Sequence, residues 1–106
     1  MNSQLKKGVI ETCVLALLET KDYYGYELVE TISKYVEISE GTIYPLLRRL
    51  KDTQIVDTYL VESQSGPPRK YYQLTSKGKL EAKQQVREYI QFSKGVFQLI
   101  EEGQHE

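Results

Sequence analysis

At 106 residues, with 40% hydrophobic and 27% charged side chains, the chain is sized for one soluble globular domain and shows no disorder bias. A formal net charge of −1 excludes a uniformly basic nucleic-acid coat, while one cysteine and one histidine, Cys13 and His105, exclude an internal disulfide and any metal-ligand spacing. No apolar run approaches the roughly 18 residues of a membrane span, and the polar start Met1 to Lys7 has no signal-peptide cleavage pattern, so the cytoplasm is the expected compartment.

The first predicted element is a helix from about Gln4 to Glu19. Its apolar positions Leu5, Val9, Ile10, Cys13, Val14, Leu17 and Leu18 span more than one narrow stripe, so it should touch the domain core and a second surface. Cys13 on that face reads as a small buried hydrophobe. A second helix is expected from about Tyr24 to Tyr35, with Leu28, Val29, Ile32 and Tyr35 inward and Glu27, Glu30 and Lys34 outward. Gly25 near its start suits close packing or a tight chain entry.

The next segment, Ser39 to Lys51, reads as a short helix whose two faces are already sorted. Ile43, Leu46, Leu47 and Leu50 recur at helical spacing and should face inward. Thr42, Tyr44, Pro45, Arg48, Arg49 and Lys51 remain outside, and two guanidiniums and an ammonium beside a hydroxyl and a phenol suit the base edges and phosphates of duplex DNA. That is the make-up of a recognition helix; an ordinary amphipathic surface helix with solvated charges is the competing reading. Ser39 is the expected N-cap. Pro45 lies just past the first turn if the cap is there, which predicts a late helix start or a slight kink that pushes Thr42 and Tyr44 outward.

Residues 55–61 are β-branched and aromatic and read as a strand, ambiguous about its buried face. Tyr71 to Leu74 form a second short strand, and between them Gly66, Pro67 and Pro68 should make a rigid loop tip, with Arg69 and Lys70 where the second strand begins. A helix followed by a ribbon with a basic loop is the order of a winged helix, which puts the helix in the major groove and the hairpin on the backbone or in the minor groove. Thr75 should cap a final helix in which Ala82, Val86, Tyr89, Ser93, Val96 and Ile100 recur at intervals of four and three, a coiled-coil seam, with Ile90, Phe92, Phe97 and Leu99 beside it. A small head cannot cover that surface, so a second chain is expected to.

Charge is segregated along the chain. Basic and acidic residues number four and six in 1–38, three and one in 39–51, none and three in 52–65, four and none in 66–79, and three and five in 80–106. The positive surplus falls only on the recognition helix and on the wing with the start of the last helix, while the acidic remainder weakens indiscriminate binding. An enzyme is not expected: the only imidazole is in the polar tail, no glycine-rich phosphate loop is present, and the adjacent carboxylates of Glu101 and Glu102 diverge on a helix. No cofactor is expected either.

Three segments, Tyr24-Gly25-Tyr26-Glu27-Leu28, Gly41-Thr42-Ile43-Tyr44-Pro45-Leu46-Leu47-Arg48-Arg49-Leu50, and Gly66-Pro67-Pro68-Arg69-Lys70-Tyr71-Tyr72-Gln73-Leu74-Thr75 followed by Gly78, resemble the signatures of PadR-type transcriptional regulators. The resemblance spans about residues 5 to 100 and is strongest to the short branch with a single C-terminal helix. It implies a dimeric winged-helix repressor. It also implies, from relatives that respond to phenolic or flat cationic aromatics between subunits, a small aromatic effector near Tyr89, although the chain offers no tryptophan to stack on.

The resulting expectation is a mainly α protein with a small β-hairpin: a winged helix-turn-helix over 1–74, then a dimerisation helix and tail over 75–106. Double-stranded DNA is the expected partner, with an inverted-repeat operator set by the two-fold axis. Ser39, Thr42, Tyr44, Arg48, Arg49, Lys51, Arg69 and Lys70 are the candidate DNA residues. Among them Thr42 and Arg48 are assigned to base edges or adjacent phosphates, Tyr44 to a phosphate, and Arg69 and Lys70 to the wing anchor; Arg49 and Lys51 are either phosphate contacts or solvated charge. Val86, Tyr89, Ile90, Ser93, Val96 and Ile100 are the candidate dimer and effector residues. The rival is a winged-helix module that binds a protein or ligand without DNA.

Overall fold

The computed structural model describes residues 3–104; His105 and the side chain of Leu5 lie outside what it describes. Its elements are α1 (Ser3–Thr20), β1 (Tyr23–Tyr24), α2 (Gly25–Ser33), α3 (Glu40–Asp52), β2 (Val56–Ser63), β3 (Gly66–Leu74) and α4 (Ser76–Gln104). The α+β class matches the expectation, but the sheet has three antiparallel strands in the order β1-β3-β2, because the two residues before α2 pair Tyr23 with Tyr72 and Tyr24 with Tyr71. A two-residue strand has no periodicity of its own, so it was invisible in the sequence.

Ile10, Val14, Leu15 and Leu18 of α1, Leu28 and Ile32 of α2, Ile43, Leu47 and Leu50 of α3, Val56 and Leu74 of the sheet, and Ala82 of α4 close one core. Cys13 and Leu17 are only partly buried, so the wide apolar face of α1 reaches past that core. Tyr35 departs from its expected inward position: α2 ends at Ser33, and Tyr35 beyond it is 86% exposed.

The turn from α3 into β2 is built on a residue the sequence did not flag. Gln54 takes a left-handed φ of 63°, and its N–H and that of Ile55 donate to the Lys51 and Leu50 carbonyls at 3.0 and 2.9 Å. Those two bonds close the helix end in a Schellman arrangement, which usually has glycine at this position. Thr75 then ties α4 to the same turn. Its N–H donates to the Ile55 carbonyl at 3.0 Å, its hydroxyl donates to the Gln54 carbonyl at 2.6 Å, and that hydroxyl accepts from Gly78 N–H at 2.9 Å as the expected N-cap. Gly78 passes so near that a Cβ there would stand 1.9 Å from the Ile55 carbonyl oxygen.

The wing differs from expectation at its tip. The turn is Gln64-Ser65, and Gly66, Pro67 and Pro68 already belong to β3, with Ser63 opposite Gly66. The prolines are tolerated because β1 reaches only Tyr71 and Tyr72, so one edge of β3 is open there, and because the β2 ladder is irregular between Val61 and Ser63. Beyond the head both wing faces meet solvent, which resolves the ambiguous alternation: Leu60 and Val61 are both exposed.

α4 has 29 residues and is about 43 Å long at 1.5 Å per residue. Its first turns pack on α1, and its outer half projects, giving extents of 59 × 27 × 21 Å. The radius of gyration is 15.9 Å, against about 13 Å for a compact chain of this length.

Candidate nucleic-acid interface

Helix α3 begins at Glu40, so the late start expected from Pro45 does not occur. Pro45 removes one amide donor; the carbonyl it would have met belongs to exposed Gly41, where water can replace the lost bond. Ser39 occupies the N-cap position with extended φ −126° and ψ 165°, yet its hydroxyl caps nothing, and both Ser39 and Thr42 stand in solvent.

With about 100° per residue, Ile43, Leu47 and Leu50 define the buried side of α3, and the remaining side chains fan out from it. Tyr44, Arg48 and Lys51 lie on the edge toward the wing, whereas Thr42 and Arg49 lie on the edge toward α1. Tyr44 is not pushed outward as expected. Its ring lies half-buried over Gly25, where a Cβ would come within 2.6 Å of the ring edge and 3.1 Å of the phenol oxygen. No glycine has a positive φ, so Gly25 is required by this close approach and not by its backbone.

Between α3 and the wing runs a cleft of about 560 Å³ lined by Tyr24, Tyr26, Tyr44, Arg48, Lys51, Asp52, Thr58, Lys70 and Tyr72. Three cations from two elements thus share one concave surface with the phenols of Tyr26, Tyr44 and Tyr72. Burial raises the Tyr44 phenol above its ordinary value, with Glu40 adding to the effect. Burial also raises Tyr72, with Tyr44 adding and Arg48 opposing. Both phenols are therefore neutral at physiological pH and can donate to an anionic oxygen.

Arg69 is directed elsewhere. Strand alternation puts it on the far face of β3 from Lys70 and Tyr72, where Tyr59 and Tyr71 stack with centroids 5.6 Å apart and Tyr71 meets Tyr24 at 5.6 Å. The Arg69 guanidinium sits 4.7 Å over the Tyr24 ring. The Tyr59 hydroxyl donates to Asp22 at 2.6 Å, a bond that raises its own pKa and anchors the row of rings to the head. The wing is stiffened from this face while the other face lines the cleft.

The structure therefore gathers Tyr44, Arg48, Lys51 and Lys70, sets Ser39 and Thr42 free at the start of α3, sends Arg69 to the wing's outer face, and pairs Arg49 with Glu11 of α1. Sequence reading placed Tyr26 and Tyr72 in the core or at its rim; Tyr72 is indeed a core residue and Tyr26 is half exposed, but both also line the cleft, and Tyr24 beneath Arg69 was given no part. The faces of Tyr24 and Tyr72 follow from the pairing of β1 with β3, which the sequence does not show by itself. On α4, Val86 and Ser93 are half-buried, while Tyr89, Ile90, Val96 and Ile100 are exposed together with Phe92, Phe97 and Leu99. Burial raises the Cys13 thiol. Among the described residues no group of three His, Cys, Asp or Glu could hold a metal ion, and no helix is long and apolar enough to cross a membrane.

A two-helix unit of α2 and α3 closed by the β2–β3 ribbon is the architecture of a winged helix. Within that class the chain belongs to the PadR-like family of transcriptional regulators, whose profile matches residues 14–84. It is similar to a PadR-like transcriptional regulator of Bacillus cereus at 37% identity, covering 92% of this chain and 97% of that one with a TM-score of 0.82. A PadR family regulator of Clostridium difficile superposes with a TM-score of 0.75 at 33% identity, covering 86% of this chain and 97% of that one. An uncharacterized protein of Lysinibacillus sphaericus is 32% identical, with 97% of each chain covered.

Proposed function

We propose that the chain is a DNA-binding transcriptional repressor that acts as a homodimer on an inverted-repeat operator in the bacterial cytoplasm. The cleft carries this reading: Arg48 and Lys51 of α3 and Lys70 of β3 converge on one face in a protein whose net charge is −1. With α3 in the major groove, the sugar-phosphate backbone between major and minor grooves would run along that cleft, and Arg69 would extend the positive surface along the wing. In this reading Arg48 and the Thr42 hydroxyl of α3 would meet base edges, and the Tyr44 phenol would donate to a phosphate.

Support for the dimer comes from α4. Its outer half exposes Tyr89, Ile90, Phe92, Val96, Phe97, Leu99 and Ile100, a span of apolar surface that single soluble chains rarely leave uncovered. A second copy packed along the seam from Val86 to Ile100 would cover it and set two recognition helices about 34 Å apart, one turn of duplex. A planar aromatic effector would act on the same seam near Tyr89, changing that spacing by its differential affinity for the two arrangements.

Electrophoretic shift assays on the DNA upstream of the chain's own gene, with and without competitor, test the reading. Lys70→Ala should weaken all duplexes alike and lower the salt slope by about one. Arg48→Ala should alter preference among operators, at about 1–3 kcal/mol for a lost base contact. Salt-independent binding, or none, would remove the proposal in favour of a module that binds protein or ligand.

A further inference from the structure

Glu11 of α1 joins three helices through one carboxylate. One oxygen accepts from the Arg49 guanidinium of α3 at 2.5 Å, and the other accepts from the Gln85 amide of α4 at 3.0 Å. The same amide reaches the Thr12 hydroxyl at 3.2 Å, and that hydroxyl, on a residue only 7% exposed, donates back to the Gly8 carbonyl at 2.9 Å. The carboxylate is therefore held from both sides. Its side chain is 20% exposed, whereas the Arg49 side chain is 58% exposed. Arg49 thus keeps free N–H donors on the flank of α3 opposite the Lys70 cleft, with its direction set from behind.

We infer that Glu11 is a positioning residue for DNA binding: fixed by Gln85 of α4, it aims the Arg49 guanidinium at a phosphate on the α1 flank of the recognition helix. The inference rests on the DNA-binding reading above. It makes α4 part of the recognition surface at second hand, because any shift of α4 against α1 moves the carboxylate that directs Arg49. An unbraced arginine has many rotamers to lose on binding, and the bond to Glu11 removes that loss in advance. Its sign is also opposite to simple electrostatics, in which deleting an anion beside a phosphate-binding surface tightens binding.

Binding of one operator duplex, measured by fluorescence anisotropy over a salt series, separates the two. Glu11→Gln keeps shape and removes the charge. It should lower affinity roughly five- to tenfold near 0.1 M salt and the salt slope by about one, the counterion term of one phosphate. Arg49→Ala should do the same, and the double variant should bind no more weakly than Arg49→Ala alone. Gln85→Met, which leaves both charges in place, should give a smaller loss in the same direction and serves as the reading if Glu11→Gln does not fold. Tighter binding by Glu11→Gln with an unchanged slope, or additive losses in the double variant, would overturn the inference. Lys70→Ala serves as the control: a wild type whose binding shows no salt dependence and no response to Lys70→Ala would sink the DNA reading itself, and this inference with it.

Discussion

Gly25→Ala should be destabilising only because of Tyr44, and that dependence can be measured. The new Cβ would stand 2.6 Å from the Tyr44 ring edge, so the ring must retreat by about 0.8 Å to restore an ordinary 3.4 Å contact. The ring packs against the buried core on one side and lines the cleft on the other, so it is driven toward the cleft. Overpacking of this kind costs about 1–3 kcal/mol. In a Tyr44→Ala background the obstacle is gone, and the gain in helix propensity at the first residue of α2 should make Gly25→Ala neutral or stabilising by up to about 1 kcal/mol. The cycle therefore reverses sign. Urea unfolding followed by circular dichroism, at one fixed protein concentration so that association does not enter, gives all four corners. An equal cost for Gly25→Ala with and without the Tyr44 ring would refute the close-approach account.

Other outcomes follow from the same structure. Gly78→Ala puts a Cβ 1.9 Å from the Ile55 carbonyl oxygen, a backbone atom already accepting from Thr75, so it should cost more than about 3 kcal/mol or abolish folding, as read by circular dichroism. Gln54→Gly should instead stabilise by up to about 1 kcal/mol in urea unfolding, since it relieves a left-handed residue without touching the Schellman bonds. Tyr44, Tyr59 and Tyr72 all have folded pKa values above the ordinary tyrosine value, so the unfolded chain loses these protons first. Their contribution is fully present below about pH 10 and is lost as pH rises through the folded values; Tyr44→Phe and Tyr72→Phe should flatten the alkaline loss of stability seen in urea melts from about pH 9 to 11. Val86→Glu with Val96→Glu should yield monomer or unfolded chain by light scattering, and a wild type that is monomeric at micromolar concentration would contradict the dimer.

Much of this protein was written in one dimension. Helical spacing at Ile43, Leu47 and Leu50 determined which side of the recognition helix is buried, because at about 100° per residue these three positions fall within one narrow arc. The family signature was equally local, as was the cap at Thr75, whose hydroxyl serves an amide three residues away. What stayed hidden were relations between segments far apart in sequence. Charge composition could not say that Arg49 would meet Glu11 while Arg48 would share a cleft with Lys70, since the two arginines are adjacent in sequence but about 100° apart around the helix. Nor could the β-branched run show that Tyr24, Tyr71 and Tyr59 would form one row beneath Arg69, because that order exists only once β3 is paired on both edges. Periodicity thus determined the buried face of the recognition helix, and only tertiary packing decided the faces of the strands and which neighbour each face meets.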